Sequence, residues 1–257
     1  MKLITWLKSL FTKPKLAGTL YQPRDSRDLK FSKEFKVGSY ENKTIPSLYE
    51  WSKLPNQGRT NACVGFSISR LLEILIYQVV KEEDGDDYYM NVSELFTWYN
   101  ARLLEGTQED NVGVIPRDAF KVLFSNGYLP YESFPFNNDY KKTPEIFDYA
   151  VAITTRDMLL NMKFKYYAVS RRDGLKLSNK GQAVGVALPM NSSWVYNKYT
   201  KDLDKTGGYH YMVLEGTITH NNIEYCKFAN SWGKGYLYVP VTYYNKHAVS
   251  LWTLAKK

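Results

Sequence analysis

The stretch "NQGRTNACVGFS", Asn56 to Ser67, sets a glutamine six residues ahead of a single cysteine, Cys63, where a long apolar run begins. A lone cysteine in such a place is more often a small buried hydrophobe than a reactive thiol. Three features argue for chemistry instead. A helix starting at Cys63 gathers unpaired N–H groups and a positive partial charge around the sulfur, which stabilises a thiolate. Gln57, on the loop entering that helix, can aim its side-chain amide beside the sulfur. Together with the Cys63 backbone N–H it would make an oxyanion hole for acyl transfer. The third feature is a histidine with an orienting amide far downstream, His210 in "GGYHYMVLEG" and Asn230 in "NSWGKGYLYVP". His220 and His247 have no such surroundings and read as ordinary surface or core histidines.

Such groups need rigid carriers. From Cys63, Ile68, Leu71, Leu72, Leu75 and Val79 fall at helical spacing until the charges before Gly85, with Asn61 as the expected N-cap. Further helices are predicted over "VSELFTWYNARLLEG" and over "PRDAFKVLFSNG", the latter opened by Pro116 and closed by Gly127. The second half changes character: "QAVGVALPM", "YHYMVLEGTITH", "NIEYCKFANS" and "GYLYVPV" are short β-branched or aromatic runs, with a hairpin expected at Asn221-Asn222. A composition shift near 137–142 marks a lobe boundary. The organisation expected is therefore an arm over 1–44, a helical lobe over 45–138 carrying Gln57 and Cys63, and a β-rich lobe over 139–257 carrying His210 and Asn230.

Composition narrows the function classes. The 257 residues are 44% apolar and 16% aromatic, enough for a packed core and incompatible with a disordered or fibrous chain. The net charge of +8 is uneven: residues 1–36 hold nine Lys and Arg against three Asp and Glu, leaving a near-neutral body. A basic arm on such a body is either a solvated tail or a device for local contact with a protein partner through residues 1–44, and no nucleic-acid-binding motif accompanies it. Leu3, Leu7, Leu10 and Phe11 make residues 3–11 a short amphipathic helix. Nine or ten residues bury little in a bilayer, so docking on a partner or on the chain itself is favoured over membrane contact by residues 1–16. Lys8 interrupts the apolar run and no small-residue cleavage site follows, which is not the pattern of a secretion signal. No other run approaches about 18 uninterrupted apolar residues. With two cysteines and no C-x-x-C spacing, neither disulfides, a metal nor a cofactor is expected, and a cytoplasmic or virion-associated protein is the default.

These segments, in this order, resemble the papain-like cysteine peptidases: a Gln-Gly pair before the nucleophile, a Gly-Gly-His-like segment, then Asn-Ser-Trp-Gly. The resemblance runs from about Ile45 to Val241. Its middle, "VSELFTWYNARLLEGTQEDNVGVIPRDAFKVLFSNGYLPYESFPF", is similar to the helical lobe of bacterial and phage-type members. It implies an α+β, two-lobe fold, with a central helix starting at the nucleophile and a barrel-like antiparallel β-lobe. It also implies peptide-bond hydrolysis on a peptide or protein substrate. Cys63 would be the nucleophile, His210 the base and acid, Asn230 the residue orienting the imidazole, Gln57 the oxyanion donor, and Trp232 a shield over the His–Asn bond.

The departures fall around the site. Thr60, Asn61 and Ala62 replace the family's Cys-Gly-Ser, which removes a disulfide of secreted members. Val64 stands for a tryptophan, Tyr211 follows the histidine where a small residue is usual and is expected to narrow the cleft, and Gly113 in "NVGVIP" is what survives of a glycine pair lining the substrate groove. Only Lys234 separates Gly233 from Gly235, a shortened loop. The segment "YQPRDSRDLKF" is similar to the short arm of bacterial members and is expected to cross the surface without blocking the cleft. The alternative is a structural or docking subunit of a larger assembly, possibly viral, on the same fold with vestigial activity. Amine acyl transfer of the transglutaminase kind is disfavoured, because those enzymes generally orient the histidine with aspartate.

Overall fold

The computed structural model describes residues 18–20, 22, 25–36, 42–50, 54–190, 199 and 208–257. The amphipathic stretch at 3–11 lies outside them. After a one-turn helix α1 (Phe31–Glu34) come α2 (Cys63–Glu83), α3 (Glu94–Glu105), α4 (Pro116–Asn126) and α5 (Ile146–Asn161). There follow β1 (Phe164–Ala168), α6 (Arg171–Ser178), β2 (Val184–Pro189), β3 (Tyr209–His220), β4 (Ile223–Ala229), β5 (Tyr236–Pro240), α7 (Val241–His247) and β6 (Val249–Lys256). The strands form one antiparallel sheet in the order β1-β6-β2-β3-β4-β5.

Local signals explain where most elements begin and end. The Ser93 hydroxyl accepts the Phe96 N–H to cap α3, and Gly106, at φ 71°, ends it in the left-handed conformation. Pro116 is the first residue of α4, and Gly127 closes it. Asn221 and Asn222, at φ 48° and 61°, make the tight turn joining β3 to β4. α2 differs from its expected cap: the cap position is Ala62, without a side-chain bond, and Cys63 is the first helical residue. Asn61 instead donates its N–H to Asn111 Oδ1 at 2.9 Å and its Nδ2 to Asn111 O at 2.6 Å, tying the loop before α2 to the α3–α4 loop.

α2 is the axis of the molecule, buried over Cys63–Val79. It is long and apolar enough to cross a membrane by composition, but it is wrapped by the rest of the chain. A polar stripe along it faces the sheet lobe: Ser67 Oγ donates to Tyr211 O (3.0 Å), Arg70 pairs with Glu215, and Gln78 Nε2 donates to Gly181 O (2.7 Å). These positions recur every three to eight residues, on one side of a helix of 3.6 residues per turn. On β3, Tyr211 and Val213 pack with the helices, while Met212 and Leu214 join a second cluster on the far face with α6, α7 and Phe31. Helix α5 follows the composition shift, yet its Ala152 and Leu159 belong to the helical cluster.

Candidate active site

Two loops and two element ends converge on Cys63. The loop before α2 and the loop after β4 run together: Gln57 N–H donates to Ser231 O at 2.8 Å and Gly233 N–H to Pro55 O at 2.8 Å. Within this pairing the Gln57 side chain is fully oriented. Its Oε1 accepts the Ser231 hydroxyl at 2.6 Å and its Nε2 donates to Thr60 O at 2.7 Å. An amide nitrogen carries two hydrogens, so one remains for another acceptor. Ser231 was not among the residues singled out from the sequence, although it sits inside the Asn-Ser-Trp-Gly motif.

His210 is the second residue of β3 and is wholly buried. Its Nε2 lies 2.8 Å from Asn230 Oδ1, and the same oxygen accepts the Ser231 N–H at 2.7 Å. The Trp232 ring stacks on the imidazole, centroids 4.5 Å apart at 21°. The next residue, Tyr211, donates its backbone N–H to Cys63 Sγ at 3.4 Å, which brings the start of β3 against the start of α2. Thus Gln57, Cys63, His210, Asn230 and Trp232 are gathered at one place.

Two of the expected cleft residues lie elsewhere. The Tyr211 ring is buried against Gly185 of β2, where an added Cβ would meet its hydroxyl at 2.6 Å. It does not narrow the cleft, because its side chain follows the strand's alternation into the core. Val64 is likewise fully buried in the helical core.

Residues 18–20, just before the segment expected to cross the surface, lie in the cleft. Gly18 lies on Cys63: a Cβ built there would be 2.7 Å from its Sγ and 2.6 Å from Asn61 O. Thr19 bridges both walls, Val114 in parallel and Tyr209 antiparallel, and Leu20 N–H donates to Val114 O at 3.2 Å. Gly113 faces this segment so closely that its own Cβ would be 2.5 Å from Gly18 C. Farther along, Gln22 Oε1 accepts from Arg117 N–H, Ser250 Oγ and Trp252 Nε1, at 3.2, 3.0 and 3.0 Å. The Asp28 carboxylate holds the Arg117 guanidinium at 2.7 and 2.6 Å.

Burial beneath this segment pushes the Cys63 thiol up to about 12, against the opposing pull of the backbone amides of Tyr211, Val64, Gly18 and Cys63 itself. Both cysteines are free and buried. Among the described residues no group of three His, Cys, Asp or Glu could hold a metal ion.

No protein-family model matches the chain, and no curated protein matches it in sequence. Solved structures do match its shape. Xylellain, a cysteine protease from Xylella fastidiosa, superposes with a TM-score of 0.74 at 21% identity, over 95% of this chain and 97% of that one. A procathepsin B from Trypanosoma congolense follows at 0.61 and 14%, covering 95% and 86%. The digestive procathepsin L2 proteinase of the Tenebrio molitor larval midgut gives 0.61 and 16%, covering 95% and 81%. A likeness this extensive at identities this low is one of fold, and the fold of this chain is the papain-like two-lobe one.

Proposed function

We propose that the chain is a cysteine peptidase that hydrolyses peptide bonds through a thioester on Cys63, and that residues 18–20 hold it in a closed form. The observation that carries this reading is the bond between His210 Nε2 and Asn230 Oδ1. It commits Nε2 to the asparagine, so proton exchange runs through Nδ1, with the ring orientation fixed. In the open form the thiol gives its proton to Nδ1, and the sulfur attacks the scissile carbonyl carbon. The oxyanion is met by the Cys63 N–H and the second hydrogen of Gln57 Nε2. Nδ1 then protonates the departing amine, and water, losing a proton to the same nitrogen, cleaves the thioester.

One observation favours the alternative, a structural or docking subunit with vestigial activity: Cys63 is 0% exposed, with Gly18 against its sulfur. A thiol-directed epoxide separates the two. It is applied to the native chain, to Gly18→Val, and to Gly18→Val carrying Cys63→Ala or His210→Ala. The peptidase reading expects alkylation of Cys63 in Gly18→Val that is lost in both double variants, with hydrolysis of a fluorogenic peptide library following the same order. A folded Gly18→Val protein that neither labels nor hydrolyses would leave only the docking subunit.

A further inference from the structure

We infer that the free edge of β1 is a docking site for an extended acidic segment of another protein, added to the sheet as a further strand. β1 is an outer strand of the sheet. In its ladder with β6, Lys257 N–H bonds to Lys163 O and Val169 N–H to Leu251 O. The alternation of an antiparallel pair therefore turns the amides of Phe164, Tyr166 and Ala168 to the open side. Ala168 N–H is already taken by Leu29 O of the arm at 2.7 Å. For Phe164 and Tyr166 no such backbone bond from the arm exists among the described residues. A cavity of about 630 Å³ lies along this edge, between the arm, α4 and the end of α5.

The charge lining the cavity chooses the guest. Its acids, Asp25 and Asp28, are paired with Arg27 and Arg117. Lys121 and Lys257 have Asp118 and Glu34. Lys163 and Lys165, both exposed, have no ion pair among the described residues and stand beside the open amides. Lysines on an edge strand ordinarily deter pairing with other chains. Here a neutral strand would bury them at a desolvation cost and a basic one would be repelled, whereas a strand bearing carboxylates is admitted. Side chains of a strand alternate, so Lys165 meets one face of the guest and Tyr166 the other. On the Tyr166 side the ring of Phe124 lies 5.5 Å away, and Leu160, 52% exposed, completes an apolar floor. The pattern that fits is acid alternating with apolar, held by backbone bonds as in other strand-addition complexes.

The site is independent of the chemistry at Cys63. Its test is the fluorescence anisotropy of a labelled short peptide alternating glutamate and valine, titrated with the full chain. Binding is expected to weaken on the order of tenfold in Lys163→Glu/Lys165→Glu and to fall with added salt. It should be abolished when every backbone amide of the peptide is N-methylated, or when its glutamates are replaced by lysine. No binding of the acidic peptide would overturn the proposal and leave the lysines as guards of the edge. Equal binding of the N-methylated peptide, or unchanged binding by the double variant, would overturn it as well.

Discussion

Gly18 has no side chain, and that is what lets a backbone rest on the Cys63 sulfur. A valine there cannot share the space with Asn61 O and Cys63 Sγ, so Gly18→Val should lift residues 18–20 from the cleft without touching either lobe. If the closed form is favoured by about 1.4 kcal/mol, the variant alkylates Cys63 about tenfold faster than the native chain. Its inflection in rate against pH should also move down, because burial is what holds the thiol near 12 and burial is what the variant removes. Gly113→Ala is the contrasting case. Its Cβ would strike Gly18 C, so it too evicts the arm, yet it leaves a methyl in the groove where a substrate backbone has to lie. Faster alkylation with poorer peptide hydrolysis is expected there. Equal gains in both activities would mean that Gly113 does not line the substrate path. Gln57 has a sharper role than its position alone suggests, since the Ser231 hydroxyl fixes which end of its amide is the donor. Gln57→Ala should lower kcat of the opened enzyme by about 10²–10³ with little change in KM.

At the scale of elements, α2 carries a buried carboxyl in its middle. Glu73 is buried, and although Val92 N–H donates to its Oε1 at 2.9 Å, burial outweighs that bond and the nearby Arg70, raising the carboxyl to about 7. The folded chain therefore binds a proton that the unfolded chain has released between about pH 4.5 and 7. Stability contributed by the protonated form is complete below 4.5 and declines by about 3 kcal/mol as pH rises to 7. Glu73→Gln keeps an oxygen for Val92 and has no proton to lose. Urea unfolding of the variant should lack this decline, and a decline of the same size would assign it to other groups. The elements also show what could be read in advance. α3 and α4 were legible because their ends are written locally, in Ser93, Gly106, Pro116 and Gly127. α5 was not, since its apolar residues do not share a buried face: Ile146 and Phe147 are 90% and 75% exposed. That Gln57, Cys63, His210, Asn230 and Trp232 come together in one candidate site was legible, because their motifs are short and contiguous. The cleft-crossing segment was not. Gly-Thr-Leu has no periodicity, and its partners Val114 and Tyr209 are distant in sequence.

For the whole molecule the question is what keeps a cysteine on one lobe in register with a histidine on the other. The answer lies along α2, where the Arg70 guanidinium donates through Nε and Nη2 to Glu215 Oε1 at 2.9 and 2.8 Å and through Nη2 to Pro46 O at 2.9 Å. Both side chains are nearly inaccessible, 4% and 1% exposed. Arg70 is seven residues from Cys63 on one helix and Glu215 five from His210 on one strand, so the pair clamps the two carriers toward the ends that bear Cys63 and His210. Removing one partner strands a buried charge, and Glu215→Ala should cost about 3–5 kcal/mol in urea unfolding. Replacing both by apolar residues of similar volume, Arg70→Met with Glu215→Leu, should return most of that stability, because the desolvation penalty disappears with the charges. Register is a separate matter from stability. If the ion pair fixes the spacing of Cys63 and His210, the double variant in a Gly18→Val background stays stable but hydrolyses peptide more slowly than Gly18→Val alone, through kcat. A double variant as stable and as active as its parent would show that packing alone sets the register, and that Arg70 and Glu215 only satisfy one another.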